Sequence, residues 1–100
     1  MENNRSNKGQ INMYSTKELA RIKWTCRRGM KELDIMIMPF FEHVFPTLSE
    51  EEQQDFVNLL KVDDPDLFRF CMRQKIPEDV KLAQIVKKII AYRNAQFARK

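Results

Sequence analysis

Residues 30–45 read Met-Lys-Glu-Leu-Asp-Ile-Met-Ile-Met-Pro-Phe-Phe-Glu-His-Val-Phe. Leu33, Met36, Ile37, Phe40 and Val44 recur at helical spacing and share one face. Ile35, Met38 and Phe41 lie off that face, so the segment is apolar nearly all round. A helix of that kind is buried on most sides, which makes it the centre of an all-α fold. Pro39 lacks the N–H donor that a helix interior uses, and it predicts a kink or a division of this helix into two. The longest apolar run, Ile35 to Phe41, is seven residues. A membrane-spanning helix needs about 20.

Outward from this segment, each neighbour carries its own start and stop signals. On the N-terminal side, Ser15-Thr16-Lys17-Glu18 fits a capping box, Ser15 as N-cap and Glu18 as N3. It predicts a helix to about Arg28, stopped by Gly29, which adopts the left-handed conformation without Cβ strain. Leu19, Ile22 and Cys26 form its core stripe. On the C-terminal side, Ser49-Glu50-Glu51-Glu52 is a second box, with three carboxylates at the positive helix end. That helix is expected to reach Lys61, with Phe56, Leu59 and Leu60 inward. Asp64-Pro65 reads as N-cap and first helical position of a short helix through about Arg73, with Leu67, Phe68, Cys71 and Met72 as its apolar contacts. Pro77 then opens a last helix to about Phe97, striped by Leu82, Ala83, Val86, Ile89, Ile90 and Phe97. Residues 1–13 are polar and aperiodic and read as a floppy tail; residues 14–98 form one domain. No strand-like alternation interrupts the pattern, so the expected architecture is a compact five-helix bundle, all-α.

Composition narrows the function classes. In 100 residues there are two glycines, one histidine and two cysteines. Two glycines do not build a Gly-rich phosphate loop, and one histidine with two cysteines 45 positions apart does not make a zinc knuckle. Cys26 and Cys71, each in a predicted helix beside apolar neighbours, read as reduced core residues of a cytoplasmic protein. The N-terminal residues show no secretory or organellar signal. The net charge of +4 conceals segregation: residues 1–31 carry +6, residues 32–66 carry −9, and residues 67–100 carry +7. The acidic middle would repel phosphate, which argues against nucleic acid as a partner. Oppositely charged helices packed side by side account for the pattern better.

Enzymatic constellations are nearly absent, so no catalytic and no metal-ligating residues are assigned. His43 reads as a surface or half-buried side chain rather than a general base. The Asp63-Asp64-Pro65-Asp66 cluster reads as helix capping rather than a cation site, and the methionines as core filler. One patch stands apart. At 100° per residue Trp24 lies about 140° from Leu19, and Lys17, Arg21 and Arg28 fall at about 160°, 200° and 180°. Trp24 therefore sits among cations, away from the core stripe, and Trp and Arg are the types most enriched at interface hot spots. Immediately after it, Gly29 turns the chain so that Arg28 and Glu32 bracket a corner, where an arginine fork and a carboxylate are placed to grip a partner. A helix C-cap with a local ion pair is the simpler reading of those three residues alone.

Trp24 to Glu32 (WTCRRGMKE), followed by Leu33-Asp34, Ile37-Met38-Pro39-Phe40-Phe41-Glu42-His43 and Asp63-Asp64-Pro65-Asp66-Leu67-Phe68, closely resembles the small bacterial flavinylation (assembly) factors of succinate dehydrogenase and fumarate reductase, of the SdhE/YgfY type. The likeness covers roughly Tyr14 to Tyr92. It implies a five-helix bundle that binds the flavoprotein subunit of one or both enzymes and promotes covalent attachment of FAD to it. It implies no stably bound cofactor, since FAD and the attacking histidine belong to the partner, and the helper is not itself an enzyme. The family's RGxxE element maps onto Arg28, Gly29 and Glu32, and its basic-aromatic surface onto Arg21 and Trp24. A monomer without direct membrane insertion is expected. Many members have Trp where Phe70 stands and Gly near Lys75, so the fourth helix must be closed differently here. The rival reading is an antitoxin-like or regulatory module that binds another cytoplasmic protein through the same patch.

Overall fold

The computed structural model describes residues 14–98; the tail expected over 1–13 lies outside them. Five helices follow in order: α1 (Thr16–Thr25), α2 (Lys31–His43), α3 (Glu50–Leu59), α4 (Asp64–Cys71) and α5 (Val80–Ala98), with a 3₁₀ turn at Phe45–Thr47 after α2. No strand occurs among the described residues. Both capping boxes form. Ser15 Oγ accepts the Glu18 N–H at 3.1 Å while Glu18 Oε1 accepts the Ser15 N–H at 2.9 Å, and Ser49 and Glu52 repeat the exchange at 3.2 Å each way. Each satisfies N–H groups that the first helical turn leaves without a partner.

α2 is the central helix, in contact with α4, α5 and the 3₁₀ turn, while α3 lies along α5. Leu33, Met36, Ile37 and Phe40 are at most 2% exposed. Phe40 meets Phe56 of α3 at 5.6 Å between ring centroids and the edge of Tyr92 of α5 at 6.2 Å. Phe45, in the 3₁₀ turn, meets Phe41 at 5.1 Å and Phe56 at 5.3 Å. Offset and tilted pairs at these distances add to the burial energy. The charge blocks are neighbours: Lys81 and Lys88 of α5 pair with Glu51 and Glu52 of α3 at 3.0 and 3.4 Å, and Lys23 of α1 reaches Glu42 of α2 at 3.7 Å.

Several predicted boundaries move. α1 stops at Thr25, three residues before Arg28, because the Cys26 and Arg27 N–H groups turn to i−3 carbonyls at 3.1 Å. Pro39 does not divide α2, since buried side chains on both sides of it hold the helix in one piece. The N-cap of α4 is Asp63, not Asp64, and no side chain caps it. α5 opens at Val80 rather than Pro77, because Asp79 Oδ1 takes the Lys81 N–H at 2.9 Å. Arg73 closes α4 at φ +64°: its N–H bonds Phe70 O at 3.1 Å and the Gln74 N–H bonds Arg69 O at 2.8 Å. That is a Schellman closure with arginine where glycine is usual.

Candidate protein-docking site

The first part of the site is the outer surface of α1. Ile22 and Cys26 go into the core at 7% and 0% exposure, Leu19 packs against it, and Trp24 is left 71% exposed. Arg21 and Trp24 are three residues apart, hence neighbours on one helix surface. They face adjoining depressions. Arg21 lines one with Thr25, Val57 and Leu60; Trp24 lines another with Ala20, Lys23 and Arg27. The side chains of Arg21 and Trp24 have no hydrogen bond, ion pair or ring contact with any described residue. The exposed indole, beside Lys23 and Arg27, is a large amphipathic surface that makes no hydrogen bond or ring contact with a described residue.

The second part is the α1–α2 corner, residues 26–30. Here the helical-wheel placement of Arg28 fails, because α1 has already ended. Its side chain turns inward and is only 13% exposed. Nε donates to Asp64 Oδ1, one terminal nitrogen donates to Thr25 O and Leu60 O, and the other to Val62 O, all at 2.8 Å. Four of the five guanidinium N–H groups are thus engaged within the protein. Leu60 is the C-cap of α3, so Arg28 also sets a cation against the negative end of that helix. The main-chain N–H of Arg28 donates to Asp34 Oδ1 at 2.9 Å, in the first turn of α2. Asp34 thereby closes a corner whose N-cap, Met30, offers no side-chain bond.

Gly29 is exposed at φ +79°, and a Cβ built there would meet nothing within 4 Å. It is not the C-cap of α1; it supplies the left-handed step that turns the chain three residues later. Glu32, in the first turn of α2, is exposed, and its carboxylate has no partner among the described residues. The structure therefore sorts the five residues. Arg21, Trp24, Gly29 and Glu32 face outward, and Arg28 ties the corner down from beneath.

Comparison with known proteins decides the family. A model described as the flavinator of succinate dehydrogenase matches residues 20–93. A Vibrio vulnificus protein named FAD assembly factor SdhE is 56% identical over 80 residues, which cover 80% of this chain and 93% of that protein. The chain belongs to the flavinator of succinate dehydrogenase family. A Yersinia pseudotuberculosis FAD assembly factor SdhE is 57% identical over 70 residues, 70% of this chain and 80% of that one. The solution structure of a UPF0350 protein superposes with a TM-score of 0.71 at 54% identity, covering 84% of this chain and 89% of its own. All five residues sorted above fall inside the stretch that matches the flavinator model.

Elsewhere the chain offers little chemistry. No group of His, Cys, Asp and Glu suited to a metal occurs among the described residues. His43 is exposed at the end of α2, against the Tyr92 ring. Burial pushes the Cys26 and Cys71 thiols up to about 12 and about 11, so neither is a nucleophile at neutral pH. The acidic cluster caps less than its sequence suggests: Asp64 holds Arg28, and Asp66 pairs with Arg69 and Lys75 at 3.1 and 3.9 Å. Among the described helices none is long and apolar enough to cross a membrane. Asp64 and Asp34 are the members of the site that sequence reasoning misassigns or passes over.

Proposed function

We propose that this chain is an assembly factor that binds the flavoprotein subunit of succinate dehydrogenase, or of fumarate reductase, and promotes covalent attachment of FAD to it. The relatives' shared naming as FAD assembly factors supports the reading. The observation that carries it to particular residues is Trp24, 71% exposed on α1 with cations around it. Trp24 and Arg21 dock as the anchor, and the corner at Gly29 and Glu32 sets the orientation. The chain is a helper and not an enzyme: flavin and acceptor histidine both belong to the flavoprotein. Holding them in reactive register lowers the barrier without any group from the helper entering the chemistry, and orientation alone is worth several kcal/mol. The factor works as a monomer and keeps no FAD of its own.

Deleting the gene and viewing in-gel fluorescence of covalently bound flavin tests this. The flavoprotein band should lose its fluorescence and regain it when the gene is restored. Restoration with Trp24→Ala should leave the band dim although the variant melts like the parent, since an exposed side chain costs little stability when truncated. Undiminished fluorescence in the deletion strain would refute the function.

A further inference from the structure

An arginine beside an exposed glycine at a docking corner invites the reading that its guanidinium grips the partner. The geometry points elsewhere. A side chain 13% exposed, with bonds to Thr25 O, Leu60 O, Val62 O and Asp64, has one N–H left to offer. To reach a partner it would have to abandon the two carbonyls at the end of α3 and leave Asp64 without its cation.

We propose that Arg28 is a positioning residue, held by Asp64, that fixes the Gly29–Glu32 corner in its docking shape, and that Asp64 therefore governs partner affinity through Arg28. The loop has two anchors. Asp34 holds the Arg28 main chain to α2, and Asp64 holds the Arg28 side chain to α4. Between them Gly29 has open space around it. When Asp64 is removed, Arg28 loses its charge partner but keeps a partly desolvated cation among carbonyls, so it swings outward. The corner then samples many shapes, and the partner must select the competent one. The apparent affinity falls by the fraction of time that shape is populated.

The inference rests on the proposed docking to a flavoprotein, and the experiment separates the two. Calorimetric titration of the purified succinate dehydrogenase flavoprotein subunit, not yet carrying FAD, is run with the full chain and its variants. Asp64→Ala should bind about tenfold more weakly, the corner shape being populated about a tenth of the time. Asp64→Asn, which keeps an oxygen where Arg28 Nε points, should recover most of that loss. An Ile85→Val or Ile85→Ala variant, whichever matches Asp64→Ala in melting temperature, should bind like the parent, because α5 carries none of the partners of Arg28. Amide exchange in Asp64→Ala should quicken at residues 27–30 and stay unchanged in α5. Parental binding by Asp64→Ala overturns the inference and leaves the function standing. So does an equal loss in the Ile85 control, which would assign the effect to general stability, and so does an Arg28→Ala loss with no Asp64→Ala loss, which would make Arg28 a contact. No binding by the parent chain overturns the function and the inference with it.

Discussion

Replacing Gly29 by arginine separates folding from docking. Gly29 sits at φ +79°, where an L-residue costs about 1–2 kcal/mol. A Cβ there meets no atom within 4 Å, so no steric penalty is added. Any residue other than glycine also narrows the unfolded ensemble, which returns about 0.4–1 kcal/mol. The net loss is about 1 kcal/mol, or about 4–8 °C in melting temperature for a domain of this size. Gly29→Ala should lose the same amount, since it takes the same backbone strain with no bulk. Gly29→Arg differs only in a long side chain projecting where a partner would lie. If it blocks a contact worth 2 kcal/mol, typical of a hot spot, affinity falls about 30-fold. Circular dichroism melts measure the first effect, and in-gel flavin fluorescence of the partner in a complemented deletion strain measures the second. Both variants should be folded, with loading lost in Gly29→Arg and largely kept in Gly29→Ala. Normal loading by Gly29→Arg would remove the corner from the interface. Unfolding of Gly29→Arg alone would show that the space around Gly29 is not open.

Arg73→Gly should stabilise the domain by about 0.5–1 kcal/mol. It relieves left-handed strain of about 1–2 kcal/mol at φ +64° and adds glycine's extra unfolded entropy; urea midpoints measure the difference. Burial raises the Asp55 carboxyl, Lys81 opposes the shift, and Glu51, Asp79 and Glu52 add to it. A folded-state pKa above the unfolded value of about 3.9 means that stability is complete below that value and declines as pH rises through the folded one. Asp55→Asn should therefore raise the melting temperature at pH 7 and leave it unchanged at pH 3. The two thiols, pushed up to about 12 and about 11, should resist a thiol-specific chromogenic reagent at pH 8 until urea unfolds the chain; immediate reaction would contradict their burial.

Features that depend on near neighbours are legible in the amino-acid sequence. A capping box spans four residues and a helix face repeats every three or four, so Ser15, Ser49 and the stripe of Leu33, Met36, Ile37 and Phe40 declare themselves. The exposure of Trp24 is legible for the same reason: once Ile22 and Cys26 are buried, helical geometry turns Trp24 outward. Tertiary structure alone decided Arg28. Its partners Leu60, Val62 and Asp64 lie 32, 34 and 36 residues away, and no periodicity or local motif connects positions that far apart. Asp64 looked like a cap because it precedes a proline, and it became an ion-pair partner because α4 packs against α2, whose leading corner carries Arg28. Arg73 shows the same limit, since its left-handed backbone comes from the closure of α4 against the local preference for glycine. Short-range hydrogen-bond needs shape the helices of this protein, and the packing of distant segments determines which charged side chains remain available to a partner.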